Sequence, residues 1–187
     1  SGTVSLPGSG HTAFVLSDRF PVTGAIRGTI EFVTPSGGRI SALAIRFTPS
    51  SAFTSIPLLA NAGSSGGSIP HIASAGGWKT TFVLVNTGTS PAQANLSFLD
   101  DSGAPLALPL AFLQSGGGVS SLASVVNNTL AAGATLTIES TGPDTDPLLT
   151  GSARLVTNGK ISGFAMLRYM PNGQETVVPL ENRQARA

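Results

Sequence analysis

The chain contains no cysteine, which closes it to disulfides, thiolate metal sites and cysteine nucleophiles. That absence is silent on compartment, because many folded secreted proteins also manage without disulfides. Charge is scarce too: 10% of residues are charged, against about 25% in a typical soluble domain. The lysines and arginines are scattered singly and the formal net charge is +1. The chain therefore lacks the basic stripe with interleaved aromatics of a nucleic-acid binder. It also lacks the basic amphipathic segment of a membrane-surface helix. No apolar run approaches the ~18–20 residues needed to cross a bilayer as a helix. No nucleic-acid partner and no membrane insertion are expected. No secretory leader opens at Ser1, as is also true of a mature or excised segment.

What is present points to strands. Hydrophobic residues make up 41% of the chain, and much apolar content with little charge is the reverse of a disordered composition. Glycine (23), proline (13), serine and threonine punctuate the sequence, as many short strands joined by turns require. Period-2 alternation predicts strands over His11–Leu16, Arg27–Val33, Arg39–Phe47, Phe53–Leu58, Trp78–Asn86 and Ala92–Leu99. It continues over Pro105–Phe112, Ala134–Ser140, Gly151–Val156, Lys160–Tyr169 and Glu175–Leu180. Turn residues fall between these runs at 35–38, 100–103, Asn158-Gly159 and 171–173. Asn-Gly between two strand runs is a hairpin signal, since both residues tolerate positive φ. The only helical expectation is one short turn at Ser17–Phe20 before Pro21.

An internal repeat organises the chain. Gly10-His-Thr-Ala-Phe-Val15 aligns with Gly133-Ala-Thr-Leu-Thr-Ile138, and Gly28-Thr-Ile-Glu-Phe-Val-Thr34 with Gly151-Ser-Ala-Arg-Leu-Val-Thr157, both at an offset of 123. Arg39-Ile-Ser-Ala-Leu-Ala44 aligns with Lys160-Ile-Ser-Gly-Phe-Ala165 at 121. Arg46-Phe47 and Ile56-Pro-Leu58 align with Arg168-Tyr169 and Val178-Pro-Leu180 at 122. The second copy carries further strands upstream, from Ile69 to about Val126, that the first copy lacks. The expected organisation is the C-terminal half of a unit over 1–60, a Gly/Ser linker over 61–68, and a complete unit over 69–187. A half-unit exposes an apolar sheet face and open edges, which natural proteins rarely leave bare. It must pack on the full unit or receive strands from another chain, as in donor-strand assembly; otherwise the chain is a piece of a longer array.

The segment Gly76-Gly-Trp-Lys-Thr-Thr-Phe-Val-Leu-Val-Asn-Thr-Gly88 resembles a motif in large, repeat-rich, uncharacterised secreted proteins of acidobacteria and related soil bacteria. So do Gly10-His-Thr-Ala-Phe-Val-Leu-Ser17, Arg27-Gly-Thr-Ile-Glu-Phe32 and Ala52-Phe-Thr-Ser-Ile-Pro57. The resemblance covers most of the chain. It implies alternating β-sandwich units in tandem, an extracellular or cell-surface setting, and a further unit beyond Glu181–Ala187. It supplies no catalytic residues.

Chemistry-bearing residues are few. His11 follows a glycine turn and His71 follows Pro70; without carboxylates at ligand spacing they do not make a metal site. Asp100-Asp101 and Asp144-Thr-Asp146 are the only close acidic pairs. Calcium takes six to eight oxygens, neither pair matches a calcium loop, and Asx turns explain both. No cofactor is expected, calcium being the alternative these pairs leave open. Glycosidase carboxylates would want an aromatic platform that one Trp and one Tyr do not supply. Ser9, in Gly8-Ser-Gly10, reads as a turn residue and not as the nucleophile of a strand-to-helix elbow. Trp78 opens a strand after two glycines, either covering one end of the fold or stacking on a sugar. Asn95-Leu-Ser97 and Asn127-Asn-Thr129 match the glycosylation acceptor pattern, which in a bacterial protein is accidental.

The sequence thus predicts an all-β protein of tandem antiparallel, Ig-like β-sandwich units, the first incomplete. No catalytic, cofactor-binding or metal-binding residue is assigned, and Trp78 alone is a candidate for ligand binding. The expected role is a non-enzymatic extracellular structural one, as a subunit of a fibre, pilus-like filament or surface array built by strand exchange or packing with other copies or neighbouring units. The alternative is a carbohydrate- or surface-binding adhesive module of a larger secreted protein, with polysaccharide as its partner.

Overall fold

The structure is a computed structural model that describes residues 2–24, 26, 28–48, 51–59, 64–115 and 120–182. The chain divides into two units, Ser1–Gly38 and Arg39–Ala187. Its architecture is nearly all antiparallel β, with a nearly closed, barrel-like sheet in the second unit.

The first unit holds a single helical turn, α1 (Leu16–Arg19), followed by a 3-10 turn at Pro21–Thr23. This is where Ser17–Phe20 was expected to turn. Among its described residues there is no strand, so the strands expected over His11–Leu16 and across 28–33 do not form. A strand needs a partner ladder and a face to bury, and this unit supplies neither. Phe14, Val15, Ile30, Phe32 and Val33 stay exposed in consequence.

In the second unit, β1 (Leu43–Phe47) and β2 (Phe53–Pro57) form a hairpin of their own. The remaining strands are β3 (Ser64–Ser74), β4 (Trp78–Asn86), β5 (Ala92–Leu99), β6 (Leu108–Phe112), β7 (Ser120–Ala123), β8 (Val125–Leu130), β9 (Thr135–Ser140), β10 (Leu149–Tyr169) and β11 (Gln174–Pro179). They pair in the order β7-β6-β9-β4-β10-β5-β8, with β3 and β11 also on β10. The ends of this path, β7 and β8, are consecutive in the chain and separated only by Ser124, so the circuit of strands almost closes. Closure leaves few free edges. Alternation decides what points inward: Thr80, Phe82, Leu84 and Asn86 are buried, while Thr81, Val83 and Val85 are not. Phe82 of β4 meets Phe98 of β5 with ring centroids 5.1 Å apart, among Leu96, Leu110, Ile138, Leu155 and Ile161.

Strand β10 departs from the expectation of a turn at Asn158-Gly159. Its first half pairs with β3 and β5, its second with β4 and β11, and the chain runs on through the dipeptide. The register against β3 slips between Val156 and Ile161, so Asn158-Gly159 forms an irregularity where the strand changes partners. The Asn158 carboxamide oxygen accepts from Gln93 N at 2.8 Å, and a side chain on Gly159 would lie 2.6 Å from Ala92 Cβ. Tertiary pairing on both sides overrides a local hairpin preference.

Of the expected 61–68 linker, residues 61–63 lie outside the described residues. Residues 64–68 begin β3, where Ser68 exchanges two backbone hydrogen bonds of 2.8 Å with Glu181 beyond β11. Two other strands, β7 and β8, were not marked by clear alternation. The turn expected at 171–173 does join β10 to β11, with Gly173 N donating to Tyr169 O at 2.8 Å.

The repeat reappears as geometry in the two hairpins. Pairs 43/57, 44/56 and 45/55 of β1–β2 match pairs 164/179, 165/178 and 166/177 of β10–β11 in the same register at the sequence offsets. The first hairpin lies against the outer side of the second. Ala165 and Leu167 belong to the interior core, so Phe164 and Met166, alternating with them, face outward, yet both are buried. Arg46 Nη1 is 3.1 Å from Met166 Sδ and 3.6 Å from Glu175 Oε1, and Thr54 is buried.

Candidate functional site

The site with most side-chain chemistry lies where the start of β2, the start of β4 and the start of β11 approach one another. Ala75, Gly76 and Gly77 all have positive φ (61°, 57° and 84°), and Trp78 N donates back to Ala75 O at 2.9 Å. Glycine is required at 77 because its φ is left-handed and a Cβ there would meet the Tyr169 ring at 3.1 Å. This tight turn delivers Trp78 opposite Tyr169 in the ladder, their rings 5.0 Å apart and tilted by 38°. Trp78 is half-buried and packs on the core, and it also lines an open cleft of about 320 Å³ with Ala52, Phe53, Gln174, Glu175 and Thr176.

Glu175 is the charged group at this cleft. Its side chain is wholly buried, and Oε1 accepts from Arg168 Nε at 2.6 Å and from Arg168 Nη2. Arg46 approaches the same oxygen, so two repeat-related arginines converge on one carboxylate. Oε2 is buried without a hydrogen-bond partner in the structure. The arrangement pins β1 to β11 electrostatically. With Trp78 and Phe53 on its walls, the cleft can offer an apolar stacking surface of small-ligand size.

The other residues singled out in the sequence are dispersed. His11 is exposed in the first unit and His71 is exposed on β3. Among the described residues no group of three or more His, Cys, Asp or Glu side chains is placed to hold a metal. Asp100 Oδ1 accepts from Ser102 N at 2.8 Å, Ser102 Oγ at 2.7 Å and Ala104 N at 2.9 Å, an Asx turn. The Ser102 hydroxyl and then the Ala104 N–H hold its pKa below the ordinary 3.8. Asp101 Oδ2 accepts from Thr150 Oγ1 at 3.0 Å, and Asp144 and Asp146 sit in an exposed turn. Ser9 lies in a turn closed by Gly10 N to Pro7 O at 2.9 Å. Asn95 and Asn127 are cross-strand partners, with Asn95 Nδ2 donating to Asn127 Oδ1 at 2.5 Å.

Two features had no legible signal. Glu175 stood in the sequence as an ordinary strand carboxylate, and only the Arg46–Arg168 repeat correspondence hinted at a shared role. Asn86 is fully buried. Its Nδ2 donates to Ser90 O at 2.8 Å and Leu130 O at 2.9 Å, and its Oδ1 accepts from Gly88 N at 2.9 Å. It ties the β4–β5 connection to the end of β8.

No protein family model, no curated protein and no solved structure matches this chain.

Proposed function

We propose that this is a non-enzymatic extracellular structural protein, a subunit of a fibre, pilus-like filament or surface array joined by β-strand exchange or packing. One observation carries the reading. Residues 10–15 and 28–34 have the sequence pattern that forms β9 and the first half of β10 in the second copy. In the first copy their described residues form no strand, and Phe14, Val15, Ile30, Phe32 and Val33 are exposed. Strand-patterned apolar segments without a ladder are templates for pairing with another chain. In the second copy the counterparts pair with β3, β4, β5 and β6, and on this reading a neighbouring unit supplies the equivalents. On this reading the tandem units are sandwich-like and the first is completed by its neighbour. The extracellular setting rests on the resemblance to secreted repeat proteins.

The test is assembly of the full chain, followed by sedimentation and electron microscopy. Heat-stable or detergent-resistant polymers are expected, and they should be lost when Ile30 and Phe32 are both changed to Asp. A chain that stays monomeric at every concentration sinks the proposal.

A second reading, a carbohydrate- or surface-binding adhesive module, is favoured by the Trp78–Phe53 cleft. It requires retention on a polysaccharide column that falls on Trp78→Ala; equal retention of the variant removes it.

A further inference from the structure

The β1–β2 hairpin has two faces of opposite character. Arg46, Thr54 and half-buried Ile56 turn toward β10–β11. Leu43, Ile45 and Phe47 share the other face by alternation, and cross-strand pairing puts Phe53 and Ser55 there too. That face carries no charge, and its large side chains are 62%, 57%, 72% and 67% exposed for Leu43, Ile45, Phe47 and Phe53. A phenylalanine side chain presents roughly 150–250 Å², so Phe47 and Phe53 with the smaller Leu43 and Ile45 together expose on the order of 500 Å². A continuous patch of that size on a soluble protein is usually an interaction site.

The repeat shows that the corresponding face of the second hairpin is covered. Leu43 and Ile45 correspond to Phe164 and Met166, the outward residues of the second hairpin. Those are buried, and the Arg46 and Thr54 side of the β1–β2 hairpin lies against Met166. We propose that the Leu43–Ile45–Phe47–Phe53 face is a self-association surface, covered by the same face of the β1–β2 hairpin of a second copy. In a second copy this is the hairpin face that remains bare. Without charge, two such faces meet without repulsion, and together they bury about 1,000 Å², the lower bound for a specific interface. The proposal rests on the reading of the chain as an assembling subunit and names the surface and partner for one of its contacts.

Sedimentation of the full chain should show self-association with a Kd on the order of micromolar. Ile45→Glu should weaken it roughly 30-fold or more, as loss of a central buried contact does. Its unfolding midpoint at dilute, monomeric concentration should not move. Because the chain has no cysteine, Ser55→Cys gives one thiol on the face. A short bis-maleimide should link two copies of that variant and fail to link Ser121→Cys on β7. Monomers at millimolar concentration would overturn the proposal. So would a monomer destabilised by Ile45→Glu, because another segment or another protein would then hold the face. Polymers that survive Ile45→Glu would overturn the pairing and leave the array reading standing. Discrete dimers abolished by Ile45→Glu would support the pairing and remove the array reading, since an isologous contact alone closes at two.

Discussion

Asn86 shows how one polar side chain can hold a loop system inside an apolar sheet. Buried polar groups are tolerated when every donor and acceptor is used, and the three bonds to Gly88, Ser90 and Leu130 use this one. Asn86→Ala should cost about 1–3 kcal/mol in chemical denaturation, because the Leu130 carbonyl loses its donor in the interior. Glu175 makes a different case. Arg168 binds it closely while Arg46 stands 3.6 Å away and is partly solvated. Arg168→Ala should therefore cost about 2–3 kcal/mol by stranding a buried carboxylate, and Arg46→Ala less than about 1 kcal/mol. The reverse ranking in urea unfolding would show that Arg46 is the true counter-ion. Asp100 carries a pH signature. Its folded pKa lies below 3.8, so its contribution is present above that value and fades as pH falls through the folded pKa. The difference in melting temperature between wild type and Asp100→Asn should be visible at neutral pH and shrink as pH falls below 3.8.

At the scale of elements, the two hairpins test how far sequence similarity carries. The same register recurs in β1–β2 and β10–β11, because alternation and the Ile/Val-Pro-Leu ending specify it locally. Their surroundings differ: one side of β10–β11 faces the core, whereas β1–β2 is a two-stranded ribbon at the surface. A lone hairpin is marginal in water, and what anchors β1–β2 here is Thr54 and Arg46 over Met166 and Glu175. Amide exchange should therefore be slow in β4, β5 and β10 and fast in β1; equal protection in β1 and β4 would mean the ribbon is held by contacts beyond these. Strands β4 and β5 were legible to the residue from alternation, ending at Asn86 and Leu99. The start of β3 was not, because Ser64-Ser-Gly-Gly-Ser68 has linker composition and becomes strand only by pairing with β10 and Glu181.

For the whole molecule, the nearly closed circuit from β7 round to β8 makes the second unit the stable body. Phe82→Ala, at the centre of that circuit and facing Phe98, should cost about 3–5 kcal/mol in equilibrium unfolding. Ile30→Ala in the first unit should cost less than about 0.5 kcal/mol, as at other exposed positions. The sequence by itself determined the all-β class, most of the strand positions, the turn at 171–173 and the repeat, since these follow from period-2 patterning and turn chemistry within a few residues. Trp78 was marked as the residue to watch, but its pairing with Tyr169 and its place on a cleft beside Glu175 were not legible. Only the tertiary structure decided that Asn158-Gly159 lies inside a strand, that β7 and β8 nearly close the sheet, and that Arg46 and Arg168 meet at one carboxylate. Those outcomes depend on which strands become neighbours across long stretches of chain. The same dependence explains why segments 10–15 and 28–34, written like their second-copy counterparts, form no strand: a β-strand is completed by its partner, and the partner is not encoded in the strand.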